Sequence, residues 1–403
     1  MNFETKTCQN CKQNFKIESE DFNFYEKIKV PPPTFCSRCR FQRRLLFYNL
    51  VNLYHRKCDL CGESKISMYA PEAPYKVYCP QCWWSDNWDP FEFGRDYDFS
   101  RPFFEQLKEL WREVPLLGLS LGLECLVTSP HNNHAGHLKN CYLLFDAEQN
   151  EDSAFGVMVL LCKSVFNCSL IRECELCYDS MNSYKNSRCV GLRSQVQGSL
   201  ECFFLKDCSN CQNCFACANL KNKKYHIFNK AYTKDDYFRE LKKWDLGSFS
   251  QYKEVQKLAK EHWAEFPPKP HMDEFTVSYT GSYVHRSKNC KECYEVAEAE
   301  DSKFIWDCGR GVKDCYDVSN WGNNLQLSYE GCVIGENCSD LKFCQESGLT
   351  LNNAEYCKLS TGSSYHFGCV AVRNGDYVIF NKRYSKDEYE KLRGKIIAHM
   401  QEM

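Results

Sequence analysis

The chain lacks the segments that would carry it into or across a membrane. Its longest apolar run, residues 114–123, is too short to span a bilayer and is followed at once by Glu124. The start, Met1 to Cys11, has neither the basic region nor the apolar stretch of a secretory leader. We therefore expect a cytoplasmic protein without a membrane partner, whose 29 cysteines are free or bound to metal and not paired in disulfides.

The sequence also lacks a large excess of charge and the common catalytic motifs. It has 51 basic and 53 acidic residues, and its formal net charge of −2 argues against a nonspecific coat of nucleic acid over the whole molecule. No phosphate loop, dinucleotide fingerprint, nucleophile elbow or His-Glu-x-x-His motif is present. Since 43% of its 403 residues are hydrophobic, the chain can bury the cores of two or three domains. We expect a folded protein that is not an enzyme.

Eight cysteines near the start of the chain form four Cys-x-x-Cys pairs, which are the most specific chemical signal in the sequence. The pairs are Cys8/Cys11, Cys36/Cys39, Cys58/Cys61 and Cys79/Cys82. Two such pairs supply the closed tetrahedral shell of a structural zinc site, so the eight thiolates predict two Zn²⁺ ions. The segments 12–35 and 62–78 are each long enough for a hairpin that carries one pair back to the next. The spacing leaves open whether the pairs combine sequentially or in alternation.

The segment behind the second cysteine pair is predicted to be a basic helix. Phe41, Leu45 and Tyr48 fall at helical intervals, and a helix that begins at Cys36–Cys39 would direct the positive end of its dipole at the thiolates. The order of knuckle, hairpin and knuckle on a helix is typical of a treble clef. Six basic residues precede the next acidic residue: Arg38, Arg40, Arg43, Arg44, Arg56 and Lys57. With the aromatic residues between them they predict a contact with nucleic acid, RNA in particular, and a merely solvated helix face is the alternative.

The amino-terminal part of the chain resembles a family of short zinc-ribbon domains. The residues that carry the resemblance are the Cys8 to Cys11 knuckle, the aromatic and acidic stretch 15–25, the prolines 31–33, and the segment from Cys36 to Arg44. The resemblance implies zinc and no activity. The whole chain, including its tryptophan-rich stretch 83–90, is similar to large cysteine-rich bacterial proteins, and this second likeness implies no function.

An aromatic segment separates the cysteine pairs from the rest of the chain. It begins with three tryptophans: Trp83, Trp84 and Trp88. Tryptophans at this density are typical of a surface where one domain packs on another, and stacking on a ligand is the alternative. Further on, Ser100 is placed to cap a helix from about Arg101 to Val114. The apolar face of this helix is predicted from three positions: Phe103, Leu107, and Leu110 or Trp111.

The remainder of the chain is an internal duplication. Residues 139–141 recur at an offset of 149 as residues 288–290, and residues 222–237 recur at an offset of 152 as residues 374–389. Each half ends with a capping box or a close variant of one, at Thr233 to Asp236 and at Ser385 to Glu388, which predicts a helix that covers the end of the half. A second helix is predicted from Gln251 to Phe266, and the prolines that follow it, up to Pro270, predict a stiff linker.

Each half is predicted to be a parallel β-helix. Its cysteines recur at regular separations, as from Cys141 to Cys162 and from Cys290 to Cys308, which suits right-handed coils with a period near twenty. The residue before the cysteine is often Asn or Asp, which tolerate the left-handed backbone of a coil's corner: Asn140, Asn167, Asp207, Asn210, Asn213, Asn289, Asp307, Asp314 and Asn337. Stacked coils would place these cysteines in buried ladders, where a small apolar side chain fits a narrow core.

One run of cysteines in the first half also has the spacing of a metal site. Cys208, Cys211, Cys214 and Cys217 lie three residues apart, as ligands of iron–sulfur clusters or zinc do. The matching stretch of the second half keeps only Cys369, and the usual ferredoxin run ends with a longer gap and a proline. Core packing is therefore the favoured interpretation, and a cluster is the alternative.

Three histidines are the basis of an alternative function. His131, His134 and His137 would be enough for a metal or acid–base site if their loop folded them together, as in a β-helix enzyme that acts on a polysaccharide. The second half has no histidine at the matching positions, and no carboxylate or cysteine completes a ligand set at a recognisable spacing. A chance cluster in a polar loop is the favoured interpretation.

These observations predict a mainly β protein: an N-terminal double four-cysteine zinc module of treble-clef or zinc-ribbon type, then duplicated right-handed parallel β-helix halves with capping helices. The predicted domains are the zinc module (1–90), an aromatic linker and helix (91–124), the first β-helix half (125–231), capping helices and linker (232–274), the second half (275–383) and a final capping helix (384–403). We expect a zinc-binding interaction protein that contacts RNA through the basic segment and a protein partner through the solenoid. An architectural part of a larger assembly is a further alternative.

Overall fold

The computed structural model describes residues 3–269 and 272–402 of the chain. Two small amino-terminal modules and a linking helix precede two β-solenoid halves, of which the first ends in two helices and the second in one. The predicted mainly β class, with a double four-cysteine module and a duplicated, helix-capped parallel β-helix, is confirmed. Of the predicted proline linker, Pro270 lies outside the described residues.

The two modules share one design, in which a hairpin holds one cysteine pair and a helix begins at the other. The first consists of β1 (Glu4–Thr7), β2 (Asn14–Ile17), α1 (Ser19–Ile28) and α2 (Ser37–Leu45). The second consists of β3 (Tyr54–Lys57), β4 (Ser64–Ser67), β5 (Val77–Tyr78) and α3 (Pro80–Trp83). Both hairpins are antiparallel. A short 3-10 turn (Pro90–Phe93) then leads to the linking helix.

The linking helix α4 (Phe103–Glu113) begins two residues later than the sequence predicts. Pro102 is its N-cap residue, and the predicted cap, Ser100, instead donates from its backbone N–H and its hydroxyl to Asp98 Oδ1, at 2.8 and 2.7 Å. The prediction that Ser100 caps the helix is therefore wrong, because Ser100 donates to the nearer Asp98 carboxylate instead. The apolar face is as predicted, with Phe103, Leu107 and Leu110 all buried. Strand β6 (Leu116–Leu117) follows and pairs with β5, and a second 3-10 turn (Leu123–Cys125) leads into the solenoid.

The first solenoid half stacks parallel strands in chain order, and its last strand turns back as a short antiparallel hairpin. Its strands are β7 (Asn133–Lys139), β8 (Tyr142–Glu151), β9 (Ala154–Leu160), β10 (Phe166–Arg172), β11 (Met181–Tyr184), β12 (Val196–Gln197), β13 (Gln212–Phe215), β14 (Lys224–Ile227) and β15 (Lys230–Ala231). Two helices cover its end: α5 (Lys234–Leu241) and α6 (Phe249–Ala264).

The second half repeats this plan with more strands. Its strands are β16 (Val277–His285), β17 (Lys288–Ala297), β18 (Ala299–Lys303), β19 (Trp306–Cys308), β20 (Val312–Tyr316), β21 (Gln326–Tyr329), β22 (Cys332–Gly335), β23 (Ser339–Lys342), β24 (Gln345–Gly348), β25 (Asn352–Glu355), β26 (Ser364–Phe367), β27 (Val378–Ile379) and β28 (Lys382–Arg383). One helix, α7 (Lys386–Glu402), follows. In the described residues no strand of one half pairs with a strand of the other, so the halves are two separate solenoids.

Most turns of the solenoid are twelve or thirteen positions long, so the predicted period near twenty is wrong. Asn133 pairs with Phe145, which is the shorter step, and Ser183 pairs with Val196, which is the longer one. Every third residue faces the core, as in the buried series Cys162, Val165, Cys168, Ile171, Cys174 and Cys177. The separations from Cys141 to Cys162 and from Cys290 to Cys308 are therefore multiples of this three-residue unit and do not measure one turn.

The residue before most inward positions adopts the left-handed backbone conformation. All nine Asn and Asp residues predicted to do so have positive φ, between 49° and 58°. The same conformation occurs at bulkier residues such as Leu176 (φ 53°), where it costs a residue with a Cβ about 1 kcal/mol. This corner turns the next side chain inward, which explains why Asn-Cys and Asp-Cys pairs recur.

The inward cysteines form the predicted buried ladders. All the cysteines after Cys82 are buried and free. Cys189, Cys202 and Cys214 follow one another at the pairing steps of neighbouring turns. Each thiol also donates to nearby backbone carbonyls, as Cys202 Sγ does to Leu200 O at 3.2 Å. Core packing is confirmed as their structural role, because the interior is narrow and a thiol there finds a backbone acceptor.

The ends of both halves are built alike, as the duplication predicts. Asn229 binds both backbone groups of Ala218 through its amide, at 2.8 and 2.9 Å, and Asn381 binds those of Val370 in the same way. Both helices are capped as predicted: Ser385 and Glu388 form the full reciprocal capping box, and Thr233 forms the close variant in which its hydroxyl accepts from Asp236 N and donates to the Asp236 carboxylate. The helices α5 to α7 thus close the open turns.

The amino-terminal modules pack mainly on the second half, although the whole first half separates the two along the chain. Phe24 of α1 stacks on Tyr316, with ring centroids 3.8 Å apart and planes at 9°. Trp83 and Trp88 are buried in one cluster with Phe367 and Phe380 of the second half. The predicted packing of one domain on another through these two tryptophans is confirmed, while Trp84 is 40% exposed.

Candidate metal centres

The first four cysteines come together as one group. The sulfur atoms of Cys8, Cys11, Cys36 and Cys39 all lie within 4.8 Å of one another. The β1–β2 turn is a knuckle in which Cys8 O accepts from Lys12 N at 3.0 Å, and Lys12 takes the left-handed conformation that closes it (φ 61°). Cys36 is the N-cap residue of α2, so the positive end of that helix faces the thiolates as predicted.

The next four cysteines form a second group by the same means. The sulfurs of Cys58, Cys61, Cys79 and Cys82 also lie within 4.8 Å of one another, and Cys79 is the N-cap residue of α3. Gly62 holds the left-handed position of the knuckle (φ 74°). The pairs therefore combine sequentially and not in alternation, because each hairpin is short and returns the chain to the helix of its own module.

Backbone amides prepare both groups for a cation. Cys36 N donates to Cys8 Sγ and Cys79 N donates to Cys58 Sγ, each at 3.3 Å. Burial opposes ionisation of Cys8, but N–H groups, led by that of Cys36, outweigh it and lower the pKa of Cys8 to about 6. The same balance lowers the pKa of Cys58 to about 7, whereas burial raises the pKa of Cys36 and of Cys82 in the same groups. Thiolates stabilised in this way suit a divalent ion.

The donor set limits which metals fit. Each group offers four sulfurs in a closed arrangement and no oxygen or nitrogen ligand, which excludes sites of the Ca²⁺ or Mg²⁺ type. No open position is left for a substrate, as a catalytic zinc would need. The eight cysteines can hold two metal ions, and their chemistry is that of structural sites.

Arg40 and Arg44 do not lie on an open surface, and here the predicted basic face is wrong. Both are buried, at 2% and 3% exposure, and both pair with Asp317 of the second half, Arg40 at 2.8 Å and Arg44 at 3.0 Å. The apolar side of α2 is instead partly open, with Leu45 36% exposed. Two guanidinium groups that are buried against a shared carboxylate present no open face to the phosphate backbone of a nucleic acid.

The other four cations of the basic segment lie in three different settings. Arg43 pairs with Glu330 at a partly exposed position. Arg56 donates to the backbone carbonyls of Ala70 and Tyr75, so it stabilises the loop of the second module. Arg38 and Lys57 are exposed and make no ion pair within the part of the chain that the structure describes. Only these two remain fully available to a polyanion.

The sequence did not identify the residues that receive the modules. Asp317, Tyr316 and Lys303 of the second half contact α1 and α2, and Lys303 pairs with the buried Asp21 at 2.6 Å. These pairs join distant parts of the chain. The sequence gives one local signal of this contact. The segment from Asp314 to Ser319 carries charge although it forms part of the solenoid wall, where a buried charge needs a partner.

The remaining sequence clusters do not form metal sites in the described residues. His131 packs on Tyr142, His134 on Tyr48, and exposed His137 pairs with Glu148, so the three rings face different neighbours. Burial lowers the pKa of His134. The sulfurs in the run from Cys208 to Cys217 do not all lie within 4.8 Å of one another, as those of the two four-cysteine groups do. These thiols donate to backbone carbonyls instead.

Comparison with known proteins gives no family for this chain. No protein-family model and no curated protein matches it. One solved structure, named as an acetyltransferase from Desulfovibrio desulfuricans G20, covers 66% of this chain and 80% of its own, with 11% identity and a TM-score of 0.14. A likeness at that TM-score carries no argument. None of the helices in the described ranges has the length and apolar character needed to cross a membrane.

Proposed function

We propose that this protein is a zinc-binding interaction scaffold with no catalytic role of its own. Each four-cysteine group would hold one structural Zn²⁺, and the two solenoid halves would present the binding surface. The observation that carries the proposal is the pair of closed four-sulfur groups, each supported by a backbone N–H to sulfur bond. Zinc is the metal that such groups most often hold, because it has no geometric preference of its own and accepts tetrahedral thiolate.

The ions would act by keeping the modules folded on the solenoid. A module of this size has too small a hydrophobic core to fold without a cross-link or a bound metal, so metal binding supplies its folding free energy. The folded module then places Arg40 and Arg44 on Asp317 and Phe24 on Tyr316. Zinc would thus set the shape of the surface that a partner meets.

A narrower RNA contact is part of the proposal. Arg38 beside the first centre, and Lys57 with the neighbouring exposed Tyr54 and His55 of β3, keep their charged or aromatic groups accessible. Cations with adjacent aromatic rings suit single-stranded RNA, whose phosphates and bases they can contact together. The solenoid faces suit a protein partner, since stacked turns offer a long, regular surface.

Metal content tests the first part of the proposal. Elemental analysis of purified protein is expected to find two zinc ions per chain. Cys11→Ser and Cys61→Ser change exposed ligands and should each leave one ion, whereas Cys174→Ala, a buried non-ligand, should leave two. A different metal, or no loss of zinc in either ligand variant, would refute the zinc assignment.

Fluorescence anisotropy with a labelled single-stranded RNA oligonucleotide tests the second part. The double variant Arg38→Gln/Lys57→Gln is expected to weaken binding and to lower the salt dependence by about one unit per lost phosphate contact. Lys257→Gln, on a side chain 78% exposed in α6, removes a charge outside the modules and should leave affinity unchanged. Equal affinity of the double variant and the native protein would remove RNA from the proposal and leave the zinc scaffold.

A further inference from the structure

A large cavity lies where the first module, the linking helix α4 and the second solenoid half meet. Its volume is about 620 Å³, within the range of small-molecule sites. The walls are mainly aromatic: Phe47, Phe104, Trp111, Tyr329, Phe343 and Tyr356. Phe343 and Tyr356 of the wall stack on each other with ring centroids 4.8 Å apart and planes at 9°, which holds both rings in place. A planar apolar group fits such a wall.

Three polar side chains of the lining have atoms without a hydrogen-bond partner. They are Nη2 of Arg44, Nε1 of Trp111 and Oε1 of Gln345, each buried from solvent and unpaired in the described structure. Arg44 is only 3% exposed and uses its other guanidinium nitrogens to bind Asp317 and Ser319. A buried donor left unpaired is costly, so an acceptor that enters the cavity and shifts its wall slightly would gain the donors of Arg44 and Trp111.

The charge of the cavity selects the sign of that group. Arg40, Arg43, Arg44 and Lys108 line it, against one lining carboxylate, Glu330. Asp317, which is not part of the lining, neutralises the charge of one more arginine. Lys108 makes no ion pair among the described residues. Cations therefore remain in excess, and the two unpaired donors, Arg44 Nη2 and Trp111 Nε1, suit an acceptor that bears negative charge.

We propose that this cavity is a binding site for a small planar aromatic carboxylate. The ring would lie against Phe343 and Tyr356, with Phe104 at the rim, and the carboxylate would accept from Arg44 and Trp111. The ligand would touch α2, α4 and the second half at once. It would therefore bind only when the first module is docked, so the metal centre and the ligand site would share one folded state.

Isothermal titration of the full-length, metal-loaded protein with 2-naphthoate and 2-naphthamide tests the proposal. The two probes share ring and shape and differ in charge. We expect one site per chain and binding of the carboxylate at least about tenfold tighter than the amide, as a charge-assisted hydrogen bond provides. Absence of binding, or equal affinity for both probes, would overturn the proposal.

Three variants locate the site. Trp111→Phe keeps a ring and removes the indole donor, so it should weaken naphthoate several-fold and naphthamide less. Phe104→Ala, at a residue 60% exposed, should weaken both probes alike without loss of folding, which circular dichroism checks. Phe249→Ala, 71% exposed in α6 and absent from the lining, is the control and should change neither. Naphthoate binding that survives Trp111→Phe and Phe104→Ala unchanged would place the probe elsewhere and refute the assignment.

Discussion

Asp317 is the central residue of the contact between the first module and the second solenoid half. Its carboxylate is fully buried and accepts from Arg40 at 2.8 Å and from Arg44 at 3.0 Å. Burial of three charges is costly, and here it is offset because each oxygen has a guanidinium partner and Ser319 takes a further donor of Arg44. These three residues, Asp317, Arg40 and Arg44, form the Asp317 triad. The triad therefore determines where the module docks more than it adds stability.

Removal of this carboxylate should be strongly destabilising. We expect Asp317→Asn to lower the free energy of unfolding by about 3–5 kcal/mol, because it leaves two buried guanidinium groups without a counter-charge. Glu300→Gln is the matched control: its ion pair with Lys313 is 2.8 Å long but half exposed, so its loss should cost less than about 1 kcal/mol. Urea unfolding followed by tryptophan fluorescence measures both. Similar losses in the two variants would show that the triad is not a buried ion-pair network.

Glu295 makes the second half sensitive to pH. Burial raises the pKa of its carboxyl from 4.5 to about 7, and the nearby Asp307 carboxyl has a raised pKa for the same reason. A folded-state pKa above the unfolded value means that the folded protein holds the proton more tightly. Stability from this group is therefore present below pH 4.5 and is lost as pH rises to about 7.

The variant Glu295→Gln separates this group from the others that titrate. Between pH 5 and pH 8 the native protein should lose about 1–3 kcal/mol more stability than the variant, because only the native side chain must ionise in a poorly hydrated site. Urea unfolding at both pH values gives the difference. If the two proteins lose the same stability, Glu295 is not held protonated by the fold.

At the scale of the element, the unit of the solenoid is three residues long. One residue is exposed, the next takes a left-handed backbone, and the third enters the core. The unit explains why Asn or Asp so often precedes Cys, since the first tolerates the corner and the second fits the narrow interior. Four such units make one turn, as from Asn133 to Phe145, and some turns carry one more residue, as from Ser183 to Val196.

Adjacent positions in one unit should respond in opposite ways to the same substitution. Leu176 is 49% exposed with a φ of 53°, and Cys177 beside it is 2% exposed in the core. Leu176→Asn is expected to raise stability by up to about 1 kcal/mol, because asparagine tolerates the left-handed region. Cys177→Asn should lower it by more than about 2 kcal/mol, because a buried amide would lack partners. Thermal unfolding compares the pair, and a loss of equal size in both variants would contradict the three-residue unit.

At the scale of the whole molecule, the chain closes on itself. Its amino-terminal modules touch the half that follows them, as Tyr48 does at His134, but they pack mainly on the second half, through Phe24, the Asp317 triad and the buried tryptophans. Arg373 of the second half lies over the rings of Trp83 and Trp88, at 5.1 and 4.9 Å. Long-range contacts of this kind make the modules and the second half one cooperative unit.

Metal removal should therefore reduce hydrogen-exchange protection far from the cysteines. Chelation is expected to abolish hydrogen-exchange protection over residues 3–89 and to expose the strands around Tyr316 and Tyr329, while the first half keeps its protection between residues 133 and 227. Hydrogen exchange read by mass spectrometry resolves these regions. Re-addition of Zn²⁺ is the control for reversibility. Unchanged protection at Tyr316 after metal loss would show that docking does not depend on the modules being folded.

Local sequence patterns correctly predicted the features that depend on residues close together in the sequence. The four cysteine pairs, the caps of both terminal helices, the apolar face of α4 and the left-handed Asn and Asp corners all formed as predicted. The length of the turn was mispredicted because cysteine occupies only some inward positions, and Val, Ile, Leu and Ser occupy the rest. A search for a period of three over all small and apolar residues would have found it.

The eight cysteine ligands and the solenoid with its caps follow from the amino-acid sequence alone, because these depend on chirality, side-chain size and short-range hydrogen bonds. The sequential pairing of the cysteines and the role of the basic helix depend on the folded chain, in which Arg40 and Arg44 find their partner, Asp317, far away in sequence. No local pattern encodes such a partner: whether a cation stays in water or enters a buried pair depends on which surface the folded chain brings against it. The cavity beside that contact arises in the same way, from three elements that meet only in the folded molecule.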